Sequence, residues 1–300
     1  MKKKFSGKNI NSLERPFEGY LFIAPWLIGF LAFSLWPMIN SAILAFADYN
    51  VFSGMRFIGL DNFRVMFTED KMFGHSLLTT TIYVVVSVPV RLAAALLVAL
   101  LLNQKIRGMS IYRTIYYLPS VLATSVAMLV TWKMVLSREG IANKVLGFIG
   151  LGPYDFLSNP DIALWTVSFL AIWQLGSAMV IFLAGLKAIP TELYEAAVVD
   201  GSSSWQRFFR ITIPLLTPTI FFNLVMGIIG AFQVFSVGFV MTRGGPANAT
   251  YFYVLHLYRT AFESFRMGYA SALAWVLAII VMALTLLVFR SSDKWVHYEN

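Results

Sequence analysis

The chain has 300 residues, of which 58% are hydrophobic and only 13% charged, against about 25% charged in an ordinary soluble domain. A single core of this size cannot hide so much apolar surface, so the composition excludes disorder, a fibrous protein and a typical water-soluble enzyme, and it favours a polytopic membrane protein. The net charge of +8 would suit nucleic acid in a soluble chain. Here the Lys and Arg residues lie between long apolar runs, where they set membrane orientation, and no nucleic-acid partner is expected. The absence of cysteine excludes disulfides, thiolate metal sites and cysteine nucleophiles.

An apolar run of about 20 residues crosses the hydrocarbon core. Runs free of Asp, Glu, Lys and Arg cover 19–47, 114–132, 162–186, 211–242 and 267–289, and a further run over 76–104 is interrupted only by Arg91. The fold class expected is therefore an all-α membrane protein of six spans, at about 20–46, 77–102, 114–135, 162–186, 215–241 and 268–289. A tail over 1–18 precedes this membrane domain of 19–289, and a tail over 290–300 follows it. The first apolar run follows Lys2, Lys3 and Lys4 but is far longer than the 7–15 or so residues of a signal-peptide core, and it is expected to remain as a span. An even number of spans puts both termini on one side. With the N-terminus inside, the inner segments carry 13 Lys and Arg residues and the longer outer segments 9, so both termini are expected in the cytoplasm.

The outer segments carry turn signals. Asp61 or Asn62 is placed to cap a short helix, and the stretch 243–250, with Gly244, Gly245 and Pro246, breaks the chain after the fifth span. No Gly-Lys-Ser or Gly-Lys-Thr follows any glycine pair, which excludes a phosphate-binding loop of the Walker kind.

The longest inner segment, 188–214, is the most informative. Pro190 suits a first helical position, and 191–200 holds good helix formers. Gly201 permits a left-handed turn. Ser203 with Gln206 matches a capping box, and Pro214 ends the second short helix, with Pro218 opening the next span. This predicts a helix–turn–helix facing the cytoplasm. Leu193, Ala196 and Ala197 share one stripe whose small side chains allow close approach, with Glu195 and Asp200 as charges at its ends. An amphipathic connector in the headgroup layer is the alternative, but Glu192, Glu195 and Asp200 make the first helix acidic, which an anionic surface disfavours; a protein partner fits better.

At this segment the chain resembles a known family. Glu195-Ala196-Ala197, Asp200-Gly201, Phe208, Ile211 and Pro214 are similar to the EAA loop of permease subunits of binding-protein-dependent ABC importers. The runs YLFIAP at 20–25, FIGLDNF at 57–63, YRT at 112–114 with Leu118-Pro119, GGPANAT at 244–250 and GYA at 268–270 resemble sugar permeases of the maltose and glycerol-phosphate type, in the order of the first of the two permeases. Ser202 and Ile213 depart mildly from the pattern, and the chain is similar to the shorter six-span members.

The resemblance implies a multi-pass subunit of the bacterial cytoplasmic membrane. Its partners would be a second homologous permease, two ATPase subunits, an extracellular solute-binding lipoprotein, a carbohydrate substrate and the lipid bilayer. The chain would hold no cofactor and catalyse no reaction itself, ATP and Mg²⁺ being bound by the ATPases. Glu195, Ala196, Ala197, Asp200, Gly201, Phe208 and Pro214 would form the ATPase-coupling loop.

Polar and aromatic groups within spans are expensive against lipid and mark a candidate substrate pathway: Trp173, Gln174 and Ser177 in span four, Asn223 and Gln233 in span five, and Arg91 beside Pro89 in span two. Amides hydrogen-bond hydroxyls and aromatic faces pack on sugar rings. The same residues suit helix–helix packing, and Arg91 suits an anionic substrate, a partner subunit or the inner surface alike. A proton- or ion-coupled secondary transporter is the rival reading, but it would carry Asp, Glu or His within its spans. An intramembrane protease would need paired aspartates or a Ser–His pair at depth, whereas His75, His256 and His297 lie outside the spans or at their edges.

Overall fold

The computed structural model describes residues 16–50, 52, 54–104, 106–122 and 125–297, with side chains from Tyr20 onward. Residues 1–15 and 298–300 of the expected tails lie outside the described residues.

Helix α1 (Tyr20–Ala45) leads into a hairpin of β1 (Ala47–Asn50) and β2 (Gly54–Phe57), paired antiparallel with Ala47 opposite Phe57. Among the described residues this hairpin is the one pair of strands. Helix α2 (Asp61–Thr68) follows. Neither Asp61 nor Asn62 caps it. Asp61 instead accepts from Arg64 Nε at 2.8 Å, and the buried Asn62 donates to the carbonyls of Ala45 and Ala47 at 3.0 and 2.9 Å. Asn62 thereby satisfies the backbone where α1 turns into the hairpin, which is a stronger demand than a helix cap.

Helix α3 (Lys71–Leu102) is the central element. Asp70 caps it, accepting from the N–H groups of Met72 and Phe73 at 2.8 and 3.1 Å. Its buried face carries Val84, Val88, Leu92, Ala95 and Ala99. These residues share the main core cluster with the buried Met179 and Phe182.

Two expected spans are broken. In place of one helix over 114–135 there are α4 (Met109–Leu122) and α5 (Val126–Val135), meeting at 101°. Ser125 starts α5 as a new helix by accepting from Met128 N–H. A short α6 (Ile141–Phe148) follows. In place of one helix over 162–186 there are α7 (Pro160–Gln174) and α8 (Gly176–Ala188), bent by 47°. The joint is a close approach: a Cβ on Gly176 would meet Ser120 Oγ and the Tyr116 carbonyl of α4 at 2.8 Å.

Helix α9 (Thr191–Val199) has Pro190 as its N-cap, not as its first helical residue. Helix α10 (Ser204–Phe232) then runs without a stop through Pro214 and Pro218. This corrects the expected helix end at Pro214. A wider, π-type turn over Phe208–Thr212 precedes the proline, and the same device over Leu31–Leu35 precedes Pro37 in α1. Proline lacks an N–H and its ring crowds the preceding turn; a widened turn accommodates both without ending the helix. At its far end α10 stops at Phe232, short of the expected 241. After a break the chain makes one further turn over Gly238–Thr242, where Gly238 lies against Phe252 and the Thr250 carbonyl.

Helix α11 (Tyr253–Tyr258) continues through a wider turn over Arg259–Glu263, and α12 (Met267–Ser292) closes the chain. Four helices, α1, α3, α10 and α12, are long and apolar enough to cross a membrane, or six spans result if each bent pair counts as one. Of the side chains in α1, only Ala45 is buried.

Candidate functional site

The segment between α8 and α10 is built by local hydrogen bonds. Gly201 adopts φ of +74°. Its N–H bonds to the Val198 carbonyl at 3.0 Å and that of Ser202 to the Ala197 carbonyl at 2.9 Å, the paired bonds of a Schellman motif that close a helix through a left-handed residue. The Ser202 hydroxyl donates to the Ala197 carbonyl as well, which gives the departure at 202 a structural use. Ser203 and Gln206 make both bonds of the capping box, at 3.2 and 2.8 Å. Arg207 donates to the Ser202 carbonyl and to Ser204 Oγ, and the Tyr194 and Thr212 hydroxyls meet at 2.9 Å across the two helices. Phe208, Ile211 and Pro214 lie on the first turns of α10, half-buried. Turn and both helices thus hold one angle.

Glu192, Glu195, Ala196 and Asp200 are exposed and Ala197 is half-buried. None of the three carboxylates has an ion-pair partner among the described residues. Beside them stand Val199, 88% exposed, and Trp205, 72% exposed, with Val198 and Phe209. Sequence reasoning passed over these apolar groups, although four large apolar side chains in a short polar segment were themselves a signal.

The six candidate pathway residues do not converge. Trp173 lines a cavity of about 790 Å³ between α4, α5 and α7, walled also by Tyr116, Pro119, Trp132, Trp165 and Phe169. Its ring stands edge-on to Trp132 with centroids 5.2 Å apart, and Trp132 Nε1 is buried with no hydrogen-bond partner among the described residues. Gln174 shares the tight turn of Trp173 but does not line the cavity, and Ser177 is exposed one turn on. Asn223 is buried and donates to the Thr219 carbonyl of its own helix at 3.1 Å. Gln233 is exposed at the C-terminus of α10. Arg91 is half-buried where α3 meets α10. A Cβ on Gly227 would lie 3.4 Å from its Nη2, and its buried Nε has no partner among the described residues.

A polar cluster outside these predictions ties three elements together at the start of α3. Beyond its two cap bonds, the Asp70 carboxylate accepts from His256 Nε2 at 2.9 Å and from the Tyr269 hydroxyl at 2.7 Å. Burial works against the charge, but the Tyr269 hydroxyl, His256 and the Phe73 N–H outweigh it and hold the Asp70 carboxyl below its ordinary value. Tyr253, at the start of α11, donates through its hydroxyl to the Leu273 carbonyl of α12 at 2.8 Å and through its backbone N–H to Thr80 Oγ1 at 2.9 Å.

Helices long and apolar enough to cross a membrane, packed around a central helix, with an exposed helix–turn–helix between two of them, define a polytopic membrane protein. The chain belongs to the family of binding-protein-dependent transport system inner membrane components, whose profile matches residues 71–295. It is similar to the probable ABC transporter permease protein YesP of Bacillus subtilis, 48% identical over 285 residues that cover 94% of this chain and 92% of the relative. It is also similar to the lactose transport system permease protein LacF of Rhizobium radiobacter, 33% identical over 297 residues, covering 95% and 97%. Among solved structures it resembles a chain of a bacterial alginate ABC transporter crystallised with an alginate pentasaccharide-bound periplasmic protein. The TM-score is 0.80 at 26% identity, covering 95% of this chain and 96% of that one.

Proposed function

We propose that the chain is the permease subunit of an ATP-driven importer that carries a sugar or oligosaccharide from an external binding protein into the cytoplasm. The observation that carries this reading is end-to-end likeness to permeases, one named for lactose transport and one solved in an alginate transporter. In this reading the bent pairs α4–α5 and α7–α8 each serve as one span, giving six, with both termini cytoplasmic. A second homologous permease completes the pore. The segment 188–214 docks on one of two ATPase subunits, which bind ATP and Mg²⁺ and perform the hydrolysis. The exposed carboxylates, small residues and apolar side chains of α9 and the start of α10 support that docking, because such a surface is costly in water and unsuited to an anionic membrane. A proton-coupled transporter is disfavoured: α1, α3, α10 and α12 contain no Asp or Glu, and a proton relay needs such groups at depth.

The test is uptake into proteoliposomes holding both permeases and both ATPases, with the binding protein and labelled sugars outside. Uptake is expected with ATP inside and not with a proton gradient alone; gradient-driven uptake without the ATPases overturns the reading.

The substrate pathway is proposed to pass Trp173 at the aromatic cavity, where the Trp132 N–H, without a partner among the described residues, offers a hydroxyl a donor; Gln174, Ser177, Asn223, Gln233 and Arg91 do not line that cavity. One aromatic contact is worth about 0.5–1.5 kcal/mol, so Trp173→Ala is expected to lower uptake about 2- to 10-fold with assembly and basal ATP hydrolysis intact. Loss of assembly in that variant assigns the residue to packing.

A further inference from the structure

Helix α6 (Ile141–Phe148) has two unlike faces. Asn143 and Leu146 turn inward. The buried Asn143 donates to the carbonyls of Ser137 and Tyr154 at 3.1 and 2.9 Å and accepts from the Tyr154 N–H at 2.8 Å, while Leu146 forms part of the wall of the aromatic cavity. With three hydrogen bonds fixing its roll, α6 cannot rotate to hide its other face. That face carries Ile141, Val145 and Phe148, 64%, 58% and 91% exposed, at the i, i+4, i+7 spacing of one helical stripe. Ile149 extends it, 70% exposed.

What covers this stripe follows from its surroundings. Gly140 sits directly against the last turn of α5, so α6 starts at the very end of a membrane-type apolar helix whose Met134 is itself 69% exposed. In the six-span reading α5 is the second half of a span, so the stripe starts where that span ends. Cations border it. Lys133 and Lys144 are exposed without an acidic partner among the described residues, and Arg138 pairs only with Asp155, at 3.4 Å. A depression of about 440 Å³, with Arg138, Glu139 and Lys144 on one side and Leu151 and Pro153 on the other, adjoins α6. An apolar stripe flanked by lysine and lying at the end of a span is the pattern of an interfacial helix.

We propose that α6 lies in the headgroup layer of the bilayer, with Ile141, Val145 and Phe148 at the acyl boundary and Lys144 and Arg138 among the lipid phosphates. This rests on the reading of the chain as a membrane subunit but on neither its substrate nor its orientation. The role is one of anchorage: α6 ties the bend between α5 and α7, and with it one wall of the aromatic cavity, to the membrane surface.

The cysteine-free chain allows a clean test. Phe148→Cys and, as a second variant, Val145→Cys are labelled with an environment-sensitive fluorophore and reconstituted with the other subunits in vesicles of phosphatidylcholine and phosphatidylglycerol. Interfacial helices sit about 5–10 Å into the headgroup and acyl boundary, so a lipid spin label near the headgroup is expected to quench the fluorophore about twofold more than one near the chain end. Aqueous iodide should quench it far less than a label at Glu139. Iodide quenching equal to that at Glu139 overturns the proposal, because the stripe then faces water. Shielding from both iodide and spin-labelled lipid overturns it as well, because a protein subunit then covers the stripe. Uptake measured in the same vesicles reports on the transport reading separately.

Discussion

Gly201→Val is expected to leave the subunit inserted and bound to the second permease while ATP hydrolysis no longer drives uptake. A Cβ at Gly201 meets nothing within 4 Å, so the substitution causes no clash, and the whole cost is in the backbone. Holding a β-branched residue at φ of +74° costs on the order of 1–3 kcal/mol. The chain escapes that cost by moving to negative φ. Doing so pulls the N–H groups of Gly201 and Ser202 away from the Val198 and Ala197 carbonyls and swings α10 relative to α9. Glu195→Lys attacks the same function by another route. Glu195 is exposed and has no ion-pair partner among the described residues, so the fold is untouched. A charge-assisted bond to an ATPase is worth about 1.5–3 kcal/mol, and its loss weakens docking about 10- to 150-fold. Co-purification of the ATPase and the second permease, with substrate-stimulated hydrolysis, separates the cases. Normal stimulated hydrolysis and uptake in both variants would remove 188–214 as the coupling element and leave a connector lying on the membrane.

Asp70→Ala is expected to have the largest effect on stability. One carboxylate accepts four bonds, from Met72, Phe73, His256 and Tyr269. Removing the cap costs about 1 kcal/mol. Each partner left stranded in a partly buried site costs about 1–3 kcal/mol. Losses within one network are not additive, and about 3–5 kcal/mol in all is expected, read as a lowered midpoint of thermal unfolding in lipid nanodiscs. Asp70→Asn keeps one acceptor oxygen and should lose less. The pH dependence has a definite sign. The fold depresses the Asp70 carboxyl below its unfolded value of about 3.9, so the stabilisation is complete above that value and is lost as the pH falls through the lower folded value. Acidification below about pH 4 should therefore destabilise the native chain more steeply than Asp70→Asn. Parallel acid slopes would show that the Asp70 charge contributes nothing.

Hydropathy alone located α1, α3, α10 and α12, because a long charge-free run leaves few alternatives. It did not locate the bends. Pro89 and Pro218 sit inside unbroken helices, yet the chain breaks near Ser125 and at Gly176. Near Ser125 a local cap on Met128 starts the new helix; at Gly176 what decides is the approach of α4, a tertiary fact. The capping box at Ser203 and Gln206 was legible because its partners are three residues apart. The Asp70 cluster was not, since His256 and Tyr269 lie 186 and 199 residues away. Trp132 and Trp173 likewise meet from separate spans. Among the pathway candidates polarity was visible but direction was not: Asn223 spends its amide on its own helix, which no spacing rule distinguishes from a side chain facing a channel.

The uninterrupted course of α10 past Pro214 has a mechanical consequence. At about 1.5 Å per residue, its 29 residues form a rod about 43 Å long. A jointed connection would dissipate a push at Trp205 in a hinge. A rod converts it into rotation, and a tilt of only about 5° displaces the opposite tip by about 4 Å. That tip, at Phe232, is buried in the main core cluster. Torque entering at the water-exposed end therefore reaches the packed interior as a leverage ratio set by helix length, and no residue along the way needs to change its backbone angles.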